Sequence, residues 1–308
     1  MLEVRHISFS YSNKYVINSV DFTLVKGQNL AVIGESGCGK STLLKLIYGL
    51  YDLDQGEIFW NKNQVLGPKF HLVPGMSYMK YLAQDFDLMP FITVAENVGK
   101  YLSNFYPEEK KARISELLEV VEMSEFANTK VKFLSGGQMQ RVALAKVLAL
   151  EPEVLLLDEP FSHIDNFRKN SLRRRIFSYL KTKKITCILA THDINDSLSF
   201  ADEILVMKNG AIEAKETPKA VFQNPFSFYT ASLFGDVSVV KMNGSTSFVY
   251  PYQFQLVPNS DIQVEVVQSY FKGSHFLVEG KFENQAVFFE SLKELSCGEV
   301  VFLEVKRE

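Results

Sequence analysis

An apolar run, Leu30–Ile33, leads directly into Gly34-Glu35-Ser36-Gly37-Cys38-Gly39-Lys40-Ser41-Thr42. The pattern Gly34-x4-Gly39-Lys40-Ser41 carries chemistry only when a strand delivers it and a helix follows it. Both are present. Leu30–Ile33 reads as a short buried strand, and Ser41–Leu50 places Leu43, Leu44, Ile47 and Leu50 along one helical side. That requirement excludes all-α and all-β cores and makes the centre of the chain α/β. Small residues let backbone N–H groups turn inward around a β-phosphate, and the helix offers its N-terminus to the anion. Lys40 reaches the β- and γ-phosphates, and the Ser41 hydroxyl ligates Mg2+. By itself this loop fits any phosphate-loop NTPase, kinases and GTPases included. Cys38 reads as a small side chain that fits the turn, against the alternative of a thiol activated by the helix N-terminus.

Val154-Leu155-Leu156-Leu157-Asp158-Glu159 is a second apolar strand, ending in two acids. Ligands of open α/β sheets bind beyond the carboxyl ends of the strands, so Asp158 is placed to hold Mg2+. Glu159 is directed elsewhere and can polarise an attacking water as general base. Ile185–Ala190 is another apolar run, separated from the first by helix-like sequence. Runs without alternation fit parallel strands covered on both faces, and their order implies a doubly wound, mostly parallel sheet.

Around this centre the chain changes character three times. Met1–Leu30 reads as an antiparallel β subdomain, with Leu2–Tyr11 and Val20–Leu24 as strands and Lys26-Gly27 as a turn. Residues 91–133 read as a helical insert with Ile114, Leu117, Leu118 and Val121 at helical spacing; the charge run Glu108–Arg113 reads as its solvated face. Asn63–Lys80 reads as surface. Beyond about Leu233, short strands are expected at Phe248–Tyr250, Ile262–Val267, Phe276–Glu279, Ala286–Phe289 and Val300–Val305, with turns at Asn243-Gly244, Lys272-Gly273 and Cys297-Gly298. These make a small β-barrel-like domain. A length of 308 residues accommodates one large and one small domain. A formal net charge of −3 argues against a general nucleic-acid binder. Three scattered cysteines fit a reducing compartment rather than a disulfide framework. No apolar stretch reaches bilayer-spanning length, and the N-terminus does not read as a signal peptide.

Leu134-Ser135-Gly136-Gly137-Gln138 then precedes a helix expected over Gln140–Ala149. With this segment the chain resembles the ABC ATPase family, whose signature is LSGGQ, from about Leu2 to Phe234. The resemblance implies an ATPase domain over 1–233. It matches Tyr11 to the aromatic that stacks on adenine, with Tyr15 as competitor, and Gln84 to the Q-loop glutamine contacting Mg2+ and water. Ser162-His163-Ile164-Asp165 matches the D-loop, with His163 where a small or apolar residue is usual, and His192 matches the switch histidine at the γ-phosphate. It also implies that Ser135, Gly136, Gly137 and Gln138 close over the ATP of a second copy, giving a head-to-tail dimer with two shared sites.

The segment 237–308 resembles the small β domain, often called TOBE, appended to importer ATPases. The carrying residues are Val249-Tyr250-Pro251, Val264–Val267, Phe271-Lys272-Gly273-Ser274 and Gly298-Glu299-Val300. The whole then implies an ATP-hydrolysing subunit that powers import of a small solute. Its implied partners are integral membrane permease subunits and a solute-binding protein, at the inner face of the cell membrane. The alternatives are an export-type ATPase, which would usually lack the β tail, or a non-transport ATPase acting on ribosome or DNA, which usually carries two fused cassettes or a long coiled-coil insert.

Overall fold

The strands that read as uninterrupted apolar runs lie at the centre of a six-stranded sheet. The computed structural model describes residues 1–83, 85–242 and 245–306. β3 (Asn29–Ile33), β7 (Val154–Asp158) and β8 (Thr186–Ala190) are buried at every position. The sheet order is β10-β9-β3-β8-β7-β6, with β6 (Met79–Leu82), β9 (Glu203–Lys208) and β10 (Ala211–Glu216). All pairs are parallel except β9–β10. The register pairs Val32 and Asp158 each with Ala190. The loops leaving β3, β8 and β7 therefore emerge side by side at one edge.

Helix α1 (Lys40–Tyr48) packs Leu43, Leu44, Leu46 and Ile47 into one core cluster with Val32, Leu156 and Ile188. Helices α4 (Gly136–Leu148) and α5 (Asn166–Thr182) contribute to a second cluster containing Leu155, Leu157 and Leu189, and the short α6 (Ile194–Phe200) follows β8. Two apolar layers on one sheet explain why its strands lack alternation. A separate antiparallel sheet, β2-β1-β4-β5, is built from β1 (Leu2–Ser10), β2 (Tyr15–Leu24), β4 (Gln55–Trp60) and β5 (Asn63–Gln64).

Segment 91–133 holds α2 (Val94–Val98), α3 (Pro107–Val120) and two 3₁₀ turns. α3 buries Leu117 and Leu118 and exposes Glu108, Glu109 and Lys111. Arg113 departs from the solvated-face reading. Its guanidinium donates to the carbonyls of Leu148 (2.7 Å) and Ala149 (3.2 Å) and to the Tyr179 hydroxyl (2.6 Å), so it caps the end of α4.

The surface reading of Asn63–Lys80 fails at its two ends. Val65 is buried, and Met79 begins β6 and is fully enclosed. The helix expected from Gln140 starts four residues earlier. Ser135 caps it through a reciprocal pair, Gln138 N–H to Ser135 Oγ (3.3 Å) and Ser135 N–H to Gln138 Oε1 (2.8 Å). Capping overrides the poor helix propensity of the two glycines.

The chain divides into two compact units, Met1–Lys219 and Ala220–Glu308. The second contains the end of α7 (Pro218–Gln223), α8 (Phe228–Ser232), the hairpin β11 (Ser238–Met242)–β12 (Ser245–Val249) and a five-stranded antiparallel sheet. That sheet runs β13-β17-β14-β15-β16, from β13 (Phe254–Val257), β14 (Ile262–Phe271), β15 (Phe276–Phe282), β16 (Gln285–Ser291) and β17 (Val300–Val305). Val264, Val278, Val287, Phe289 and Leu303 form its core. Phe222 stacks on Tyr250 (centroids 4.7 Å apart, 3° between planes), and Tyr250 on Tyr252 (6.1 Å, 9°). The buried Tyr250 hydroxyl donates to the Ala231 carbonyl at 3.2 Å. This unit thus begins earlier than the composition shift at Leu233, because residues 220–234 share its aromatic packing. The expected turn at Asn243-Gly244 lies outside the described residues. Among the described residues, no helix is long and apolar enough to cross a membrane.

Candidate functional site

The phosphate loop connects β3 to α1, with Glu35, Ser36 and Gly37 exposed at its crown. Gly39 is the residue before the helix, at φ 110°, and a Cβ there would stand 2.9 Å from the Val16 carbonyl oxygen. Left-handed backbone and close approach both demand glycine. A Cβ at Gly37 would meet nothing within 4 Å, which leaves the loop's outer side open to a ligand. Lys40 Nζ donates to the carbonyls of Gly34 (2.7 Å) and Glu35 (2.9 Å), so the cation is held over the loop. Burial pushes the Cys38 thiol above its ordinary pKa, opposed by the Lys40 charge. This favours a space-filling thiol over an activated one.

Ser41 and Asp158 meet at this edge, Ser41 Oγ donating to Asp158 Oδ1 at 3.0 Å. The second carboxylate oxygen accepts from the Tyr81 hydroxyl at 3.1 Å. Tyr81 is held protonated by burial, with the Asp158 charge adding to the effect, so it stays a donor. A hydroxyl and a carboxylate are the hard oxygen donors that suit Mg2+. Among the described residues no three His, Cys, Asp or Glu side chains gather to hold a metal alone.

Glu159 follows Asp158 with its backbone in the left-handed region, φ 51°. The turn sends its carboxylate away from Asp158 and onto His192, with Nδ1 2.8 Å from Oε1. The His192 side chain is 72% exposed and that of Glu159 17%, so the pair faces outward from a half-buried base. His192 lies between Thr191 and Asp193, which are fixed from behind. Arg173, 2% exposed on α5, donates to Asp193 Oδ2 and Asp196 Oδ1, both at 2.5 Å, and Thr191 Oγ1 donates to Asp196 Oδ2 at 2.7 Å.

Tyr11 is 55% exposed, and its hydroxyl lies 3.3 Å from Thr42 Oγ1. Its ring is edge-on to Phe9 and Tyr51. This places it beside the phosphate loop; Tyr15, the alternative, is also exposed and opens β2. Gln84 lies outside the described residues. The segment after it is left-handed at Phe86 (φ 61°) and Asp87 (φ 44°), and Lys146 of α4 donates to Asp87 Oδ2 at 2.9 Å. His163 bonds Ser162 through Nδ1 (3.0 Å) and packs edge-on to Phe86, with centroids 5.4 Å apart. The signature segment Ser135–Gln138 forms the first turn of α4. Ser135 Oγ accepts from Gln138, so its own proton is still available to an anion. A Cβ at Gly136 would meet nothing within 4 Å, whereas one at Gly137 would stand 2.6 Å from the His163 carbonyl oxygen.

Sequence reasoning missed Tyr81, Gln140 and Arg173. Tyr81 is one more aromatic in a segment read for its glutamine, and nothing in its spacing marks it. Arg173 carried a faint signal, since Asp193 and Asp196 stand three apart at a helix start and need a cation if buried.

The family model described as ABC transporter matches residues 17–162. The chain is 33% identical over 276 residues to the Fe(3+) ions import ATP-binding protein of Mannheimia succiniciproducens, covering 86% of this chain and 78% of that one. It is 38% identical over 244 residues to the spermidine/putrescine import ATP-binding protein of Legionella pneumophila, covering 78% of this chain and 65% of that one. A solved dimeric structure of a bacterial ABC transporter cassette superposes with a TM-score of 0.63 at 29% identity, over 71% of this chain and 99% of the cassette. A dimeric post-hydrolysis cassette bound to ADP and Pi gives 0.61 at 27%, with the same coverage.

Proposed function

The chain belongs to the ABC transporter family of ATP-binding proteins, and from that premise we propose that it hydrolyses ATP to power import of a small solute. One observation carries the reading: Ser41 bonds Asp158 at 3.0 Å while the next residue, Glu159, bonds His192 at 2.8 Å. The bonds support a reading in which phosphate holding and water activation adjoin at one sheet edge.

In this reading the backbone of Gly34–Thr42 wraps the phosphates of ATP, and Lys40 exchanges its carbonyl partners for phosphate oxygens. Tyr11 packs against the adenine. Ser41 and Asp158 would hold Mg2+, together with Gln84 as the family resemblance implies, and the ion would supply neutralisation of phosphate charge. Glu159 takes the proton of the attacking water, and His192 orients Glu159 and reaches the γ-phosphate. Ser135, Gly136, Gly137 and Gln138 close over the nucleotide of a second copy, so ATP favours a head-to-tail homodimer and hydrolysis lets it open. Permease subunits carry the solute, this subunit working at the inner face of the cell membrane, and a solute-binding protein completes the system. The open space at Gly136 supports the shared site, since it leaves room for a partner's phosphates. The β tail supports importer over exporter. The similarity to import ATP-binding proteins favours transport over action on ribosome or DNA.

The test is Glu159→Gln. Turnover with Mg2+ is expected to fall by about 100-fold or more, while ATP traps a dimer visible by size-exclusion chromatography. Undiminished turnover would remove the general-base assignment.

A further inference from the structure

The left-handed backbone of Glu159 is a conformation that residues other than glycine adopt rarely, so its surroundings must hold it there. The amide N–H of Glu159 donates to the Ala190 carbonyl on β8 at 3.0 Å. Its carbonyl oxygen accepts from three donors: Gln140 Nε2 at 2.9 Å, Ser162 Oγ at 3.0 Å and the Ser162 amide at 3.3 Å. Gln140 is 2% exposed, and its other amide atom, Oε1, accepts from the His163 amide at 3.0 Å. One buried carboxamide therefore bonds both ends of the turn 159–163.

We infer that Gln140 is a positioning residue for hydrolysis, holding turn 159–163 so that the Glu159 carboxylate stays on His192. The inference rests on the reading of Glu159 as general base. The chemistry of the clamp selects an amide, because only a group that donates at one end and accepts at the other satisfies both backbone partners. A glutamate would keep the bond from His163 but set a carboxylate against the Glu159 carbonyl. Gln140 stands on α4, two residues beyond the Ser135–Gln138 cap, and Gly137 of the same helix packs on the His163 carbonyl. α4 thus touches the turn at two levels.

The experiment compares single-turnover hydrolysis of Mg-ATP, ATP affinity and melting temperature for Gln140→Glu and Ser162→Ala, each alone and combined with Glu159→Gln. Gln140→Glu is expected to slow hydrolysis about 100-fold, the loss that accompanies roughly 1 Å of misplacement of a reacting group, with ATP affinity changed less than about threefold. Ser162→Ala, which removes one exposed hydroxyl donor, is expected to slow it about three- to tenfold. In the Glu159→Gln background both changes are expected to add less than about twofold, since no base remains to misplace. A merely structural clamp would cost the same factor in both backgrounds, and that result overturns the inference. So does parental hydrolysis by Gln140→Glu. If Gln140→Glu does not fold, Ser162→Ala decides, and additivity with Glu159→Gln overturns the inference. Unimpaired Glu159→Gln instead overturns the general-base reading itself.

Discussion

Arg173→Leu separates electrostatic support of the His192 segment from packing. The guanidinium is 2% exposed and serves two carboxylates of different standing. Asp193 is 24% exposed at its side chain and can return to water, whereas Asp196 is 2% exposed and cannot. Removing one partner of a buried ion pair costs about 3–5 kcal/mol, since the other charge stays buried and unpaired. For a unit of 219 residues, at about 2–4 °C per kcal/mol, the melting temperature should fall by about 6–20 °C at pH 7.5. The pH dependence identifies the cause. Burial already raises the Asp196 pKa above its ordinary value, with Thr191 and Arg173 pulling it down. A carboxylate whose folded pKa is raised favours the folded state at low pH and loses that contribution as pH climbs through the folded pKa. Without Arg173 the pKa rises further, so the deficit should be largest at neutral pH and shrink toward pH 5. The assay is urea unfolding at both pH values, with Arg173→Leu/Asp196→Asn as the paired change expected to recover more than half the loss. A deficit below about 1 kcal/mol, or one equal at both pH values, would refute the electrostatic reasoning and leave lost packing as the cause.

The two signature glycines should behave differently. Gly137→Ala, whose Cβ would stand 2.6 Å from the His163 carbonyl oxygen, should lose about 1–3 kcal/mol in thermal or urea unfolding; Gly136→Ala, with nothing within 4 Å, should melt at or above the parent temperature yet hydrolyse ATP more slowly. Tyr250→Phe removes the buried donor to the Ala231 carbonyl and keeps the ring stack, so guanidinium unfolding should show a loss of about 1 kcal/mol confined to the transition of unit 220–308.

The parallel core was legible because β3, β7 and β8 are buried on both faces and cannot hide that in their composition. The same property located the phosphate loop and the acids, which stand at the ends of those runs. Edge strands and polar supports were not legible. β4 mixes exposed and buried positions, β5 is two exposed residues, and β6 spans four residues within a segment without periodicity. The start of α4 was misplaced because glycine propensity hid a capping box that only tertiary placement makes decisive. The site's backing of Tyr81, Gln140 and Arg173 escaped for a common reason. Each acts through a partner distant in sequence, Asp158, Glu159 and Asp196 respectively, and no local pattern encodes such a pair.

The joint at Lys219–Ala220 bears on how such proteins can be recombined. Phe222 is sandwiched with Tyr250, Phe234 lies edge-on to Phe222 at 5.7 Å, and the Ala231 carbonyl is bonded by Tyr250. The helices around 220–234 therefore travel with the β tail as one heritable module. An exchange of tails between cassettes that broke the gene near 234, where the residue composition turns, would separate an aromatic stack from half its members. A crossover just before Pro218, where α7 starts, would carry the module whole, and the successful shuffles among such chains should cluster there.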